Sequence, residues 1–389
     1  MKVLIYSRVF APNIGGVETV VMSLASGLAR MNKADTGVTT DLTVVTMTPR
    51  HGFDDAGLPF PVVRQPKLRQ LVRLIRATDV LHLAGPSLLP LLSALLLRKP
   101  VAVEHHGFQA ICPNGQLLYE PTHEPCPGHF MANEHMRCLR CNIKKGMAGS
   151  LRSWLLTFPR RFLCARVDAN VMPTVWLQGQ LKLPGSTTVH HGLSAHIGNS
   201  VSASQPSTSK FAFIGRLVST KGVYTLVQAA QQLRVAGFQF QLKVIGNGPD
   251  RDALWQQIVH SGLEDSVHLL GYVPPGRLDE QLAEVATIII PSLAGEVFGM
   301  VAAEGMSRGK LLIASDIGSM REVIGEAGLF FPAGNAAELA KCMKRVLNEP
   351  NLFARHGNIG RTRASHQFDE TTMVSRHLDI YREALACDD

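Results

Sequence analysis

What most limits the fold of this 389-residue chain is a rhythm that runs, stops once and starts again. Short β-branched runs at residues 2–6, 42–46, 80–83, 101–104 and 169–172 alternate with helix-length patterns at 17–31 and 88–97. The runs are apolar on both faces, so they predict a parallel sheet with helices packed on each side. Residues 200–209 carry no charge and no periodicity and read as a linker. Beyond it, strands are predicted at 211–214, 242–245, 267–270, 287–290 and 311–314, with helices starting at Val223, at Arg251 and near Met300. The expected fold class is α/β, with two doubly wound Rossmann-like domains at 1–199 and 210–370. A chain of this length supports two cores of roughly 150–200 residues each. The last helical pattern, 371–386, follows the final strand and is expected to cross back to the first domain.

Composition narrows the partners. Lys and Arg total 39 against 31 Asp and Glu, a formal charge of +8 that favours an acidic partner. The basic residues are spread along the chain without a nucleic-acid recognition pattern, so no nucleic acid is expected among the partners. Residues 1–7 hold one Lys and an apolar run shorter than the roughly 7–15 residues of a signal-peptide core. The longest apolar stretch, 88–97, falls short of the roughly 20 residues that cross a bilayer. Seven cysteines, an odd count in a long chain, argue against a complete disulfide framework and make a cytoplasmic localisation the expectation.

In an open parallel sheet, ligands bind beyond the C-terminal strand ends, where loops and helix starts present backbone N–H groups. Four segments sit at such places. Gly15-Gly16 lies between the first strand and the first helix, where a binding loop and a plain tight turn fit equally. Gly215-Arg216-Leu217-Val218-Ser219-Thr220-Lys221-Gly222 sets a planar guanidinium and a compact ammonium five residues apart, a pairing suited to a diphosphate. A solvated basic loop is its plainer reading. Gly246-Asn247-Gly248-Pro249 is a third strand-to-helix turn, where a plain turn and a ligand loop fit equally. The sharpest segment is Glu296-Val297-Phe298-Gly299-Met300-Val301-Ala302-Ala303-Glu304. With a helix starting near Phe298, Glu304 is almost two turns in, both carboxylates can face one ligand, and first-turn amides can meet phosphate. The plainer reading is a helix-start acid followed by a solvated Glu.

In order along the chain, Gly15-Gly16-Val17-Glu18, Gly215-Arg216 with Lys221-Gly222, Gly246-x-Gly248-Pro249 and Glu296-x7-Glu304 resemble the retaining glycosyltransferases of the GT-B fold, family four (glycosyl transferases group 1). The resemblance covers nearly the whole chain. It implies two domains facing a central cleft and a nucleotide diphosphate sugar donor of UDP or GDP type. The diphosphate would be held by Arg216, Lys221 and the helix start after Phe298, formed by Gly299, Met300 and Val301, with Gly15, Gly16 and Gly246 also on the donor side. The base would lie near Tyr272 and Val273, the ribose against Glu304 and the sugar against Glu296. The family's histidine falls on His106, which stands six residues before Cys112-Pro113; Gly107 replaces the usual Asp, and His190-His191 precede Gly192 where Asn is common. The implied catalytic set is thus His106, Arg216, Lys221 and Glu296, acting by front-face substitution on a hydroxyl acceptor that is a glycan or is lipid-linked. No Asp-x-Asp lies at a strand end to hold a metal between the phosphates, so metal-independent transfer is expected.

Cys112, Cys126, Cys138 and Cys141 crowd one Pro- and His-rich stretch, and Cys138-Leu139-Arg140-Cys141 has a zinc-knuckle gap. A structural zinc, another metal or disulfide, and thiols without metal all remain open. A stretch that long needs something to hold it. Residues 144–162 mix basic and aromatic residues with leucines: a buried helix with a solvated basic face is the favoured reading, and a helix lying on an anionic membrane surface, with peripheral attachment, is the other. Residues 67–76 add a second basic stretch. The rival functions are an oxidoreductase, which would need the missing G-x-G-x-x-G, a same-fold nucleotide-sugar epimerase or hydrolase, and a non-catalytic nucleotide-sugar binder.

Overall fold

The computed structural model describes residues 1–31, 40–194 and 206–386. They form two compact units, one of Met1–Leu117, Pro127–Ser194 and Phe368–Asp389, the other of Leu118–Cys126 and Ala195–Gln367.

The strands of the first half are β1 (Lys2–Ser7), β2 (Asp41–Thr46), β3 (Val62–Arg64), β4 (Val80–Ala84), β5 (Val101–Glu104), a separate antiparallel pair β6 (Leu118–Tyr119) and β7 (Glu124–Pro125), then β8 (Ala169–Met172) and β9 (Ser186–Thr188). Seven of them make one parallel sheet in the order β3-β2-β1-β4-β5-β8-β9, with Ile5 of β1 opposite both Val44 and His82. The chain winds outward from β1, returns, and winds outward again from β4. The sheet therefore switches direction between β1 and β4, which is where doubly wound folds bind ligands. Helix Gly16–Met31 buries Val20, Val21, Leu24, Ala25 and Leu28 at helical spacing. Helix Glu370–Ala386 packs against it and reaches β4 and β5, burying Met373, Val374, His377, Leu378 and Tyr381. Glu370 at its start accepts from Ser23 and pairs with Arg30.

The second sheet consists of β10 (Ser207–Ile214), β11 (Gln241–Ile245), β12 (Val267–Gly271), β13 (Val285–Ile290), β14 (Leu311–Ser315) and β15 (Gly328–Phe331), all parallel, in the order β12-β11-β10-β13-β14-β15. Its switch point lies between β10 and β13. One boundary differs from expectation: Ser207–Ser209, read as linker, already belong to β10. The Ser207 N–H donates to the Glu284 carbonyl at 2.9 Å, and Ser207 lies opposite Val285. Main-chain pairing needs no apolar side chain, so an uncharged Ser/Thr run serves as the start of a strand. The expected linker residues 200–205 lie outside the described residues.

Candidate active site

The loops at the C-terminal ends of β10, β11, β12 and β13 are stitched together by main-chain hydrogen bonds. Leu293 donates to the Thr220 carbonyl at 2.8 Å, Gly215 to Ile245 at 3.0 Å, Leu217 to Asn247 at 3.0 Å, and Gly246 to Gly271 at 2.8 Å. The Arg216–Lys221 segment and the Glu296 segment thus share one place at the switch point. Side chains extend the link: Lys221 Nζ donates to Glu296 Oε1, Ser292 Oγ donates to the same oxygen at 2.8 Å, and Ser319 Oγ donates to the Glu296 carbonyl at 2.7 Å. Burial pushes the Glu296 carboxyl up, but the Lys221 ammonium and Ser292 outweigh it and hold it below the usual carboxylate range. Arg216 is exposed beside this pair.

Helix Met300–Ser307 begins where the strand–helix rhythm put it, two residues after the Phe298 start used to place Glu304, with Gly299 as its cap at φ +89°. Phe298 is buried and anchors the turn instead of starting the helix. Glu304 is consequently little more than one turn in. The N–H groups of Met300 and Val301, in the first turn, lack acceptors within the helix and are suited to an anion. Burial, the main influence, raises the Glu304 carboxyl, Arg308 opposes it at 3.6 Å, and Asp279 adds to it. The two acids are thus set differently, one ionised against a lysine and one reluctant to ionise. Tyr272 is exposed and Val273 half-buried just past β12.

In the first unit, His106 follows β5 and His191 follows β9, and their rings stack with centroids 5.2 Å apart. His105 instead points into the sheet, where its Nε2 meets Asn170 Oδ1 at 2.9 Å, and burial pushes it down to about 4. The orientation that Gly107 leaves unsupported comes from Glu104, the last residue of β5. Its fully buried carboxylate stands 3.3 Å from His106 Nε2, 3.3 Å from His82 Nε2, 3.4 Å from His191 Nδ1 and 3.8 Å from His377 Nε2. Burial pushes Glu104 up, and the imidazoles, His106 first, outweigh it and hold it well below the usual range. Burial lowers His377 to about 4 and lowers His191 as well. Gly15 and Gly16 close the loop after β1 in the same unit, with Gly16 opening its helix. Sequence reasoning missed Glu104, His82 and His377; for His82 and Glu104 the available signal was a polar or charged residue inside or ending an otherwise apolar buried strand, whereas His377 lies on the C-terminal helix with no such signal.

Residues 200–363 match the family described as glycosyl transferases group 1. Over those residues, less than half of the chain, it is similar to that family. Among curated proteins it is 30% identical over 175 residues to 2-deoxystreptamine glucosyltransferase of Streptomyces kanamyceticus, covering 44% of this chain and 45% of that one. It is 26% identical over 277 residues to phosphatidyl-myo-inositol mannosyltransferase of Mycobacterium leprae, covering 69% and 71% respectively. The chain thus spans under half the length of the first relative. The crystal structure of Anabaena HepE in complex with UDP and glucose superposes with a TM-score of 0.72 at 17% identity, covering 97% of this chain and 98% of that one. At that identity the likeness shows the fold alone, two Rossmann-like domains of the GT-B class.

Outside residues 200–363, one expectation, that for the helix at 146–164, needs correction. Of the four thiols, Cys112, Cys138 and Cys141 are buried and Cys126 is half-buried. Among the described residues, the set of His, Cys, Asp and Glu donor atoms lying within 4.8 Å of one another is Glu104, His106 and His191. The Asn114 amide bridges two of the thiols, accepting from Cys112 Sγ at 2.9 Å and donating to Cys141 Sγ at 3.2 Å. Aromatic packing holds the stretch: Phe130, His135, Trp154 and Phe158 meet with centroids 4.9–5.6 Å apart. Helix Gly146–Cys164 reverses the favoured reading. Its buried positions are Ser150, Thr157 and Cys164, whereas Met147, Leu151, Leu155, Phe158 and Phe162 form an exposed stripe, Met147 at 80% and Phe162 at 56% exposure.

Proposed function

We propose that the chain is a retaining glycosyltransferase that moves a sugar from a UDP- or GDP-type donor to a hydroxyl of a glycan or lipid-linked acceptor. The carrying observation is the Lys221–Glu296 pair on stitched loops at the switch point of the second sheet. Arg216, Lys221 and the amides of Met300 and Val301 receive the diphosphate; Glu304 takes the ribose, Glu296 the sugar, and Tyr272 and Val273 border the base. The anomeric carbon–diphosphate bond breaks as the acceptor oxygen bonds on the same face, and the hydroxyl proton passes to the leaving phosphate. The cations stabilise the charge that develops there, and His106 aligns the acceptor. The test is a panel of nucleotide sugars with candidate acceptors. Nucleoside diphosphate release that requires acceptor supports transfer, release without acceptor supports hydrolysis, and binding without release leaves a non-catalytic binder.

Glu304→Gln separates ligand binding from stability. A carboxyl whose folded pKa is raised loses stability as pH climbs through the ordinary carboxylate range, so the neutral amide removes that cost. The melting temperature is expected to hold or rise while donor affinity falls about tenfold, the loss of one good polar contact. Equal donor affinity by calorimetry removes Glu304 from the ribose site.

The exposed stripe on helix Gly146–Cys164 favours attachment to an anionic membrane surface. Lys144, Lys145 and Arg152 are exposed alongside it, and Leu89, Leu92 and Leu96 are exposed on the neighbouring helix Leu88–Leu96. Apolar insertion and charge attraction then act together. In flotation, Leu151→Asp with Phe158→Asp is expected to abolish binding to vesicles containing phosphatidylglycerol. Equal flotation on neutral and anionic vesicles contradicts the charge component.

A further inference from the structure

The group of side chains around Glu104 is built as an ion site. His82 comes from β4, Glu104 and His106 from the end of β5 and the residue pair after it, His191 from beyond β9, and His377 from the C-terminal helix. Glu104, His82 and His377 are fully buried, and the His106 side chain is 6% exposed. Neither Glu104 oxygen has a hydrogen-bond partner, nor do His82 Nε2, His106 Nε2 and His377 Nε2. Such a carboxylate costs several kcal/mol unless a cation compensates it.

The outer contacts say which sides of the rings are already used. His377 Nδ1 lies 2.8 Å from the Met373 carbonyl, so it carries the proton, and in the neutral ring Nε2 turns a lone pair toward Glu104. His82 Nδ1 meets the Tyr381 hydroxyl at 2.9 Å. These contacts orient the two imidazoles that flank the carboxylate, as outer partners of a metal ligand are oriented. Glu104, His106 and His191 offer donor atoms within 4.8 Å of one another, with Glu104 Oε2 3.3 Å from His106 Nε2 and Glu104 Oε1 3.4 Å from His191 Nδ1, so that each nitrogen faces its own carboxylate oxygen. A tetrahedral ion with bonds of about 2.0–2.1 Å separates its ligands by about 3.3–3.4 Å. Two imidazoles and one carboxylate suit a divalent transition metal of the zinc type and leave a coordination position for water.

We propose that Glu104, His106 and His191 bind one divalent transition-metal ion, with His82 and His377 flanking the carboxylate from outside. The site lies on other loops than those proposed for the donor diphosphate, it shares His106 with the proposed acceptor side, and its test reads metal content, so its failure is distinguishable from failure of the transfer proposal.

The full chain is stripped with chelator, reconstituted with Zn²⁺ and, separately, Co²⁺, and desalted. About one ion per chain is expected by elemental analysis, and Co²⁺ should give visible ligand-field bands without the near-ultraviolet charge transfer of thiolate ligation. His191→Ala and His106→Ala should each weaken binding by more than tenfold, and His82→Gln by roughly 10–100-fold, as loss of an outer partner does. Cys138→Ser with Cys141→Ser should bind as wild type. Circular dichroism checks that each variant is folded; if the histidine variants are not, the wild-type Co²⁺ spectrum decides. Substoichiometric metal after reconstitution, a thiolate band, or binding lost with the cysteines and kept in His191→Ala overturns the proposal.

Discussion

Glu296→Ala is expected to lower the rate of sugar transfer by about 10²–10³-fold, the scale of removing one group that acts on the transition state, while affinity for the free nucleoside diphosphate holds or rises. The asymmetry follows from the pair. Lys221 spends its charge on Glu296 Oε1, and both side chains are partly buried. Removing the carboxylate frees the ammonium for the diphosphate but strips the sugar of its acceptor. Lys221→Ala should show the converse, with diphosphate affinity falling along with rate. The measurement is single-turnover transfer beside calorimetric binding of the diphosphate. If both variants lose diphosphate affinity equally, Glu296 serves only to position Lys221. Stability should move little, because a partly exposed ion pair contributes at most about 1 kcal/mol. Because the Glu296 carboxyl is held below its ordinary range, its contribution is present at neutral pH and is lost only as pH falls through that lowered value.

Strands were legible because a sheet covered on both faces needs uninterrupted apolar runs, and Val285–Ile290 or Leu311–Ser315 can be little else. That the Arg216–Lys221 and Glu296 segments end strands of one sheet was legible for a related reason: glycines and charges at strand ends have few structural uses. The Glu104 cluster was not. His377 lies 273 residues beyond Glu104 in the chain, and no local pattern says that a C-terminal helix will lay an imidazole against β5. Spacing also says less than it suggests. Cys138 and Cys141 are spaced to share an ion, yet that spacing says nothing of where Cys112 and Cys126 arrive. In residues 146–164 the periodicity was readable but its sense was not. Amphipathicity shows that a helix has two faces; which face the protein covers is decided by neighbours such as helix Leu88–Leu96.

Gly222→Ala is expected to cost at least about 3 kcal/mol, combining left-handed strain with overpacking against backbone. Gly222 sits at φ +67° as the cap of helix Val223–Val235, a conformation an L side chain adopts at a penalty. The larger cost comes from space: a Cβ there would lie 1.8 Å from the Pro291 carbonyl oxygen, which belongs to the loop after β13. A flexible side chain could move aside, but a carbonyl cannot without shifting the loop that Leu293 ties to Thr220 at 2.8 Å. Gly246 repeats the arrangement one strand over, where a Cβ would lie 1.9 Å from the Gly215 carbonyl. These glycines let loops proposed to receive the diphosphate touch their neighbours backbone to backbone. The melting temperature should therefore drop by roughly 6–12 °C, at 2–4 °C per kcal/mol for a domain of this size. Donor affinity should fall with it, since Lys221 and Glu296 ride on the displaced loops. Gly276→Ala is the control: its Cβ meets nothing within 4 Å, it lies in helix Pro275–Leu282, and it should leave both melting and affinity unchanged or slightly improved. Equal melting of Gly222→Ala and Gly276→Ala would show that the loops yield freely, and the donor site would then have to be assembled by its ligand instead of being held ready by the fold.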